Sequence, residues 1–443
     1  MSRTDTTIDT STTHPLPNPR SGALKLVVVG GGSTYTPELI DGFARLRAEL
    51  PLTELALIDP DQGRLDAVGA VSRRIFAKQG HPGLIHTTSS LEEGVDGADA
   101  VLFQLRIGGQ AARNVDETLP LDFCCVGQET TGAGGLAEAL RTVPVALDLA
   151  ERVRAVAPEA RIVDFTNPVG IVTRALLDAG HDAVGLCNVA ITFQRRLAAQ
   201  QGVDPDRITL DHVGLNHLTW IRGVQLDGEE ILPSILDEHI ADLAEEIGLP
   251  AELIRDLGAI PSYYLRYYYA HDAVVAEQRT SPSRASAVAA METTLLDLYR
   301  DPTVDETPAL LAARGGAYYS EAAVELLASL TGGRADTQVV NIRNNGTLPF
   351  LPDESVIEVS AEVSFRGIKP KPQQPVPPRL RGLIAHVSAY EDMALEAARL
   401  GGRERVRAAL LAHPLIGQFD LADKLADATI AANAQYLPWT GQA

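Results

Sequence analysis

The sequence predicts an α/β protein with a doubly wound parallel sheet in its N-terminal half and an α+β domain in its C-terminal half. In the N-terminal half, short continuous apolar runs alternate with helical segments, which is the pattern of parallel strands covered on both faces. In the C-terminal half, alternating apolar and polar residues surround Asp-Gly and Asn-Gly turns, which is typical of antiparallel strands. A length of 443 residues exceeds one ordinary core, so two domains are expected.

The N-terminal half contains five predicted strands, each a continuous apolar run. They begin at residues 24, 54, 98, 161 and 181, with the sequences LKLVVVG, ELALIDPD, ADAVLFQLRIGG, RIVDFTNPVG and HDAVGLCN. Helical stretches lie between them, among them residues 136–156 and 171–179. Strands that alternate with helices in this way form a parallel sheet, because each helix returns the chain to the same edge.

The C-terminal half predicts antiparallel strands within residues 211–231 and 337–364. Helical segments are predicted at residues 235–256, 286–299, 320–330 and 380–411. The domain boundary is placed near residue 200. This gives a dinucleotide-binding domain of residues 24–199 and a second domain of residues 200–443 for substrate, metal and oligomer contacts.

Residues 1–23 are rich in Ser, Thr and Pro and lack an apolar segment, so they are predicted to be a disordered tail rather than a signal peptide. No apolar run reaches the ~18 residues that a membrane helix needs. The net charge of −20 argues against nucleic acid or an anionic membrane as a partner. An anionic substrate would need a local arginine cluster in this acidic protein.

The cysteines are few and cannot form a disulfide framework. They are Cys124, Cys125 and Cys187, and the first two are adjacent. This usage is typical of a reducing compartment and predicts a cytoplasmic protein.

A glycine turn joins the first predicted strand to the first helix. It consists of Gly30, Gly31, Gly32 and Ser33. Glycines let the backbone approach a phosphate, and the helix N-terminus favours an anion. Asp59 ends the next strand, where its carboxylate can bind a ribose hydroxyl and would repel a 2′-phosphate, so the turn predicts a Rossmann-like NAD site. Tyr35 occupies the third fingerprint position, and a glycine turn without a ligand is the alternative.

Cys187 and His217 are candidate ligands of a transition metal. A thiolate and an imidazole suit such an ion, and two protein ligands would leave the open coordination of a catalytic site. A small buried apolar cysteine and a core histidine are the structural alternatives. The spacing alone does not decide between them.

Nine segments together resemble glycoside hydrolase family 4, the NAD- and divalent-metal-dependent glycosidases. The segments are VVVGGGSTYTPELIDGF, FQLRIGGQAARNVDE, GQETTGAGGLAEALRTVPV, DFTNPVGI, GLCNVAITFQ, GLNHLTW, IPSYYLRYYY, RGGAYYSEAA and NNGTLPFLPDE, which begin at residues 27, 103, 127, 164, 185, 214, 260, 314 and 344. They span nearly the whole chain after the tail. The resemblance implies a first domain that is similar to lactate and malate dehydrogenases, and an oligomer that is a homodimer or homotetramer.

The resemblance also implies a chemistry. NAD⁺ takes a hydride from C3 of the sugar, a metal stabilises the enediolate, a base removes the C2 proton, the aglycone leaves, and the steps reverse with water added. Cys187 and His217 match the metal ligands, with Mn²⁺ as the favoured ion. The base is a tyrosine, assigned here to Tyr264 among the tyrosines of residues 263–269. Glu129 matches an acidic position near the active centre, with a structural role at a helix start as the alternative.

Five further residues are candidate substrate contacts. Asn167 and Asn188 are candidates for sugar hydroxyls, although Asn167 before proline is also an ordinary turn residue. Arg106, Arg113 and Arg284 are candidates for an anionic group of the substrate, although most arginines are solvated surface groups.

Within the family that this chain resembles, the residue after the cysteine tracks the substrate class. Asn188 followed by valine is similar to the 6-phospho-β-glucosidases of the family, which implies substrates such as cellobiose 6-phosphate. Ala190 departs from the proline that those enzymes commonly carry. The alternatives are a family 4 glycosidase for non-phosphorylated glycosides, an NAD-dependent 2-hydroxy-acid dehydrogenase, and a nucleotide-sensing protein that has lost activity.

Overall fold

A computed structural model describes residues 24–314, 318–332 and 335–441. The predicted tail, residues 1–23, and residues 315–317 of the RGGAYYSEAA segment lie outside the described residues. In the described ranges no helix combines the length and the apolar character that crossing a membrane requires.

The first six strands form the parallel part of the sheet. They are β1 (Leu24–Val29), β2 (Leu52–Ile58), β3 (Leu84–Thr88), β4 (Ala100–Phe103), β5 (Arg161–Asp164) and β6 (Ala183–Gly185). Their spatial order is β3-β2-β1-β4-β5-β6, and every neighbouring pair is parallel. This is the order of a doubly wound dinucleotide-binding sheet, in which a crevice opens between β1 and β4, where the strand order reverses.

The remaining strands extend this sheet in antiparallel fashion. They are β7 (Ile208–Leu215), β8 (Leu218–Leu226), β9 (Glu229–Glu230), β10 (Ile260–Pro261), β11 (Asp336–Arg343), β12 (Val356–Ser364) and β13 (Gly367–Pro370). The order continues from β6 through β11, β12, β7 and β8 to β10. One pair, Asn341 with Gly185, joins the two parts. The predicted fold class is confirmed, and the boundary near residue 200 stays a prediction.

Helices cover both faces of the sheet. In the first half they are α1 (Thr36–Arg45), α2 (Gln62–Lys78), α3 (Leu91–Val95), α4 (Gly109–Asp122), α5 (Gly132–Val156), α6 (Val169–Asp178) and α7 (Val189–Gln201). In the second half they are α8 (Leu232–Glu238), α9 (Ile240–Ile247), α10 (Ala251–Leu257), α11 (Arg266–Tyr269), α12 (His271–Gln278), α13 (Arg284–Arg300), α14 (Ala309–Ala313), α15 (Tyr319–Thr331), α16 (Pro378–Leu400), α17 (Arg403–Ala412) and α18 (Phe419–Asn433).

Alternate side chains along the central strands pack into two hydrophobic cores, one on each face of the sheet. Val27 and Val29 of β1 pack into a core that includes residues of α5, such as Leu140. Leu26 and Val28 face the other side and pack with residues of α1, α2 and α15. Because both faces of the strand are covered, β1 is a continuous apolar run rather than an alternating one.

Three predicted segments differ in extent from the elements observed. The strand predicted within residues 98–109 ends at Phe103, and at Gly108 and Gly109 the backbone adopts positive φ of 83° and 61° before α4 proceeds. The helix predicted at residues 380–411 is two helices, because Gly401 and Gly402 with φ of 65° and 97° end α16. Residues 235–256 form parts of three short helices rather than one.

Candidate active site

A cavity of about 1400 Å³ opens at the carboxyl ends of the parallel strands. Most of the predicted site residues line it, namely Gly30, Ser33, Asp59, Arg106, Arg113, Glu129, Asn167, Asn188, His217, Tyr264 and Arg284. Gly31, Gly32 and Cys187 do not line this cavity. Residues from both predicted domains therefore meet around one space, as ligand sites in doubly wound folds do.

The glycine turn lies at the β1 end of this cavity. Gly30 has φ of +89°, and a Cβ there would lie 2.3 Å from the carbonyl oxygen of Gln104 on β4's carboxyl side, so no other residue fits. The amides of Gly30 and Gly31 both donate to the Ile58 carbonyl at 2.8 Å, which closes the turn against β2. The turn thus offers a close backbone approach beside the crevice.

Asp59 holds the position that the NAD prediction requires. It follows β2, lines the cavity, and accepts hydrogen bonds from the amides of Gly32 at 3.1 Å and Asp61 at 3.0 Å. Burial raises the pKa of its carboxyl, and the two amides oppose this shift. A cavity-lining carboxylate next to a glycine turn fits a ribose diol and disfavours a 2′-phosphate, so the residues present fit NAD.

The candidate metal pair is buried, each residue being 6 % exposed. Cys187 follows β6, and His217 lies in the tight turn between β7 and β8 with φ of +62°. Burial lowers the pKa of His217 to about 4. At neutral pH its imidazole is therefore neutral and has a lone pair for a metal. Burial raises the pKa of the Cys187 thiol, and hydrogen bonds from the amides of Val189 and Asn188 oppose this.

The donor set around this pair fits an open metal site. In the described part of the chain no group of three or more His, Cys, Asp or Glu side chains could hold a metal. A thiolate and a neutral imidazole are donors that suit a transition-metal ion, and the remaining positions would be left to water or substrate oxygens, as in a catalytic metal site.

Two polar residues, Asn341 and Glu358, lie across the sheet between the strands that lead to Cys187 and His217. In register, Gly185 pairs with Asn341, Asn341 with Glu358, and Glu358 with Gly214. Glu358 is 1 % exposed and accepts hydrogen bonds from Asn341 at 3.0 Å and Asn216 at 2.9 Å. His212 Nε2 lies 3.0 Å from its other oxygen. The negative charge of this buried carboxylate favours a higher pKa for both Cys187 and His217.

The tyrosine segment divides between the cavity and the core. Tyr263, Tyr264 and Tyr267 line the cavity, whereas Tyr268 and Tyr269 pack against the hydrophobic core. The ring of Tyr264 stacks on His217, with centroids 3.6 Å apart and planes at 7°. Burial raises the pKa of the Tyr264 phenol well above its usual value. A phenolate there would need nearby positive charge.

Glu129 forms ion pairs with two of the predicted arginines. It pairs with Arg106, and its Oε2 lies 2.9 Å from Arg113 Nε. Arg106 also contacts Glu138 at 3.1 Å, and Arg113 contacts Glu117 at 2.7 Å. Burial favours the neutral form of Glu129, but the two guanidinium groups outweigh it and hold its pKa below the usual range. Both arginines are therefore neutralised by protein carboxylates.

Arg284 differs from the other arginines around the cavity. One terminal nitrogen of its guanidinium donates to the carbonyl oxygens of Ala313 at 2.9 Å and Arg314 at 2.7 Å. Within residues 24–314, 318–332 and 335–441 it has no carboxylate partner. The other cavity-lining arginines pair with carboxylates, namely Arg64, Arg106, Arg113, Arg152, Arg266 and Arg314.

The two predicted asparagines lie on adjacent strand ends. Asn167 follows β5, and its buried Oδ1 has no hydrogen-bond partner among the described residues. An orphaned acceptor on a cavity wall suits a ligand hydroxyl. Asn188 precedes the first residue of α7 and also lines the cavity. Ala190, the second residue of α7, lines with Cys187 a separate small cavity of about 50 Å³.

Several residues of the site have no role predicted from the sequence. Thr130 Oγ1 lies 2.8 Å from His217 Nδ1, and Tyr319 lines the cavity beside Phe165. Both belong to segments that carry the family resemblance, GQETTGAGG and RGGAYYSEAA. Glu358 is the third such residue, and its signal is a lone carboxylate within a predicted buried strand.

Two family models match along the chain. The model described as family 4 glycosyl hydrolase matches residues 25–203, and the model described as family 4 glycosyl hydrolase C-terminal domain matches residues 212–416. The chain is 37 % identical to a Bacillus subtilis protein named probable 6-phospho-beta-glucosidase, over 94 % of this chain and 97 % of that protein. It is 34 % identical to the 6-phospho-beta-glucosidase of Escherichia coli, over 94 % and 97 % of the two chains.

Solved structures show the same similarity. A 6-phospho-beta glucosidase from Thermotoga maritima, solved with manganese, NAD⁺ and glucose-6-phosphate, matches this structure with a TM-score of 0.88 at 31 % sequence identity. The match covers 94 % of this chain and 99 % of that chain.

Proposed function

The chain belongs to family 4 of the glycosyl hydrolases, and from this we propose that it hydrolyses 6-phospho-β-glucosides, such as cellobiose 6-phosphate, with NAD and a divalent metal, Mn²⁺ being the favoured ion. The observation that carries the proposal is one cavity that is lined by Gly30 and Ser33 of the glycine turn, by His217 and Tyr264, and by Asn188, which follows Cys187 in the chain. When bound, NAD supplies a reversible hydride acceptor and the metal supplies Lewis-acid stabilisation of negative charge on sugar oxygens.

Each residue of the site has its own role in the proposed reaction. Cys187 and His217 would hold the metal, and Asp59 would orient the ribose of NAD. Tyr264 takes the C2 proton of the sugar on its phenolic oxygen, as a general base held in place by its stacking on His217. Asn167 offers its orphaned Oδ1 to a sugar hydroxyl.

Arg284 is the residue that we assign to the 6-phosphate. Arg106 and Arg113 already neutralise carboxylates, and their role in the proposal is to hold Glu129 beside the reacting groups. The guanidinium of Arg284 carries a charge that no carboxylate in the described ranges compensates. Its pairing with two backbone carbonyls orients it without neutralising it, so an arriving dianion meets an oriented positive group.

Replacement of Arg284 by glutamine is expected to raise KM for the phosphorylated substrate by about 10- to 100-fold, the size expected for lost hydrogen bonds to a charged group. Activity on the same glucoside without phosphate should change little, because that substrate never meets this charge. The control is Arg300→Gln, which removes an exposed arginine paired with Asp297. An equal loss on both substrates would contradict the phosphate assignment.

The reaction itself is tested with p-nitrophenyl β-glucoside 6-phosphate, NAD⁺ and Mn²⁺ under reducing conditions. Steady nitrophenol release without net NADH is expected, because the hydride is returned in every turnover. Removal of NAD⁺ or chelation of the metal should each abolish release. Stoichiometric NADH would instead support a dehydrogenase, and release that persists without both cofactors would contradict the proposal. Equal turnover of the non-phosphorylated glucoside would contradict the 6-phospho specificity.

We further propose a cytoplasmic location and a homodimeric or homotetrameric assembly. The three cysteines are free, and a reducing compartment would keep the Cys187 thiol available for a metal. Light scattering of the purified protein measures the assembly.

A further inference from the structure

We infer that Thr130, oriented by Gln128, keeps the proton of the His217 imidazole on Nδ1 and so leaves Nε2 as the nitrogen that binds the metal. The inference rests on the proposed function, because it assigns a positioning role toward the metal ligand His217. A neutral imidazole carries one proton, and only the nitrogen without it can bind a cation.

One atom of the Gln128 side-chain amide faces Thr130. The backbone amide of Thr130 donates to this side-chain atom. An N–H group cannot donate to an NH₂ group, so the atom is the carbonyl oxygen Oε1. The orientation of the Gln128 amide is therefore set by a backbone donor, and Oε1 can only accept hydrogen bonds.

The Thr130 hydroxyl has one proton and two close neighbours. Thr130 Oγ1 lies 2.8 Å from Gln128 Oε1 and 2.8 Å from His217 Nδ1. Two oxygens 2.8 Å apart need a proton between them, and Gln128 Oε1 has none, so the Thr130 hydroxyl donates its single proton to that oxygen. The contact with His217 is then a hydrogen bond only if Nδ1–H donates to Thr130 Oγ1. This leaves Nε2 unprotonated.

The loop that carries Gln128 and Thr130 is fixed at both ends by hydrogen bonds. Gly127, next to Gln128, exchanges two hydrogen bonds with the side chain of Gln278, at 3.0 and 2.8 Å. At the other end of the loop, the amide of Gly132 donates to His413 Nε2 at 3.1 Å. The ring of His217 is clamped by its stacking on Tyr264. A histidine ligand whose second nitrogen is fixed in this way keeps its metal-binding nitrogen aimed.

The test compares Thr130→Val, which removes the hydroxyl at nearly constant shape, with Thr130→Ser, which restores it. The first readout is the ¹⁵N NMR spectrum of the metal-free protein labelled at histidine, in which a His217→Gln variant assigns the His217 signals among ten histidines. The second readout is the Mn²⁺ affinity of the full chain by calorimetry. Thr142→Val is the matched control, because its buried hydroxyl has no partner among the described residues.

In the wild-type protein we expect the Nδ1-protonated form of His217, and in Thr130→Val a mixture of both forms. Mn²⁺ affinity should fall about 10- to 100-fold in Thr130→Val, the effect typical of outer-shell partners of metal ligands, and should return in Thr130→Ser. If Thr130→Val does not fold, Gln128→Leu replaces it. Without Gln128 Oε1 the Thr130 hydroxyl can donate to His217 Nδ1, so the Nδ1-protonated form should again decrease.

A wild-type His217 protonated on Nε2 would overturn the inference, as would a Thr130→Val protein that keeps both the Nδ1 proton and the wild-type affinity. Failure of the wild-type protein to bind Mn²⁺ would contradict the proposed function, whereas the NMR spectrum of the metal-free protein decides the proton position by itself.

Discussion

Replacement of Tyr264 by phenylalanine is expected to lower kcat by about 10²- to 10⁴-fold, the usual contribution of a positioned general base. Phenylalanine keeps the ring that stacks on His217, so the packing and the two candidate metal ligands should be preserved. The phenolic oxygen alone is lost, and with it the acceptor for the C2 proton. Wild-type turnover in D₂O should place deuterium at C2 of the product, and the variant should lose this exchange together with turnover.

The matched control is Tyr268→Phe, from the same segment. Tyr268 packs against the core and stacks with His413, and it does not line the cavity. Its replacement should leave C2 exchange at the wild-type level. Retained exchange in Tyr264→Phe would assign the base to another group of the site, and Tyr263 and Tyr267 are then the residues to replace.

Replacement of Cys187 by serine is expected to lower metal-dependent turnover by at least about 100-fold, the upper end of what outer-shell partners of metal ligands contribute. A serine hydroxyl stays neutral at working pH and is a much poorer ligand than a thiolate for Mn²⁺ and its neighbours. The small change in volume should leave the buried strand end intact. Mn²⁺ affinity measured by calorimetry should fall with turnover, while NAD affinity should remain.

Cys125→Ser serves as the control for this variant. Cys125 is also buried and free, but it lies between α4 and α5 in the hydrophobic core that includes Leu140, and it does not line the cavity. It should bind Mn²⁺ as the wild-type protein does. Full activity of Cys187→Ser at ordinary metal concentrations would show that the thiol is not a ligand, and a structural cysteine would then be the correct interpretation.

The fold followed from local patterns because apolar periodicity reports which residues face a core. Continuous apolar runs such as β1 and β4 marked the parallel strands, and the glycine turn marked the point where β1 enters the crevice. The edge strand β3 was not predicted, because Leu84 and His86 are exposed and the strand has no apolar run long enough to recognise. The continuity of the sheet from β6 into β11 depends on one long-range pair that no local pattern encodes.

For the site, residue types and order along the chain predicted NAD from Asp59, whereas the resemblance to the family was needed to assign Cys187 and His217 as metal ligands. The chain order does not say which side chains share a space, because ion pairs and ring stacks form between residues that packing brings together. Only the folded chain distinguishes Tyr264, stacked on His217, from Tyr268 in the core. Only the folded chain shows that Arg284 is the cavity-lining arginine without a carboxylate partner among the described residues. Arg106, for example, is neutralised by Glu129, which is 23 positions away in sequence.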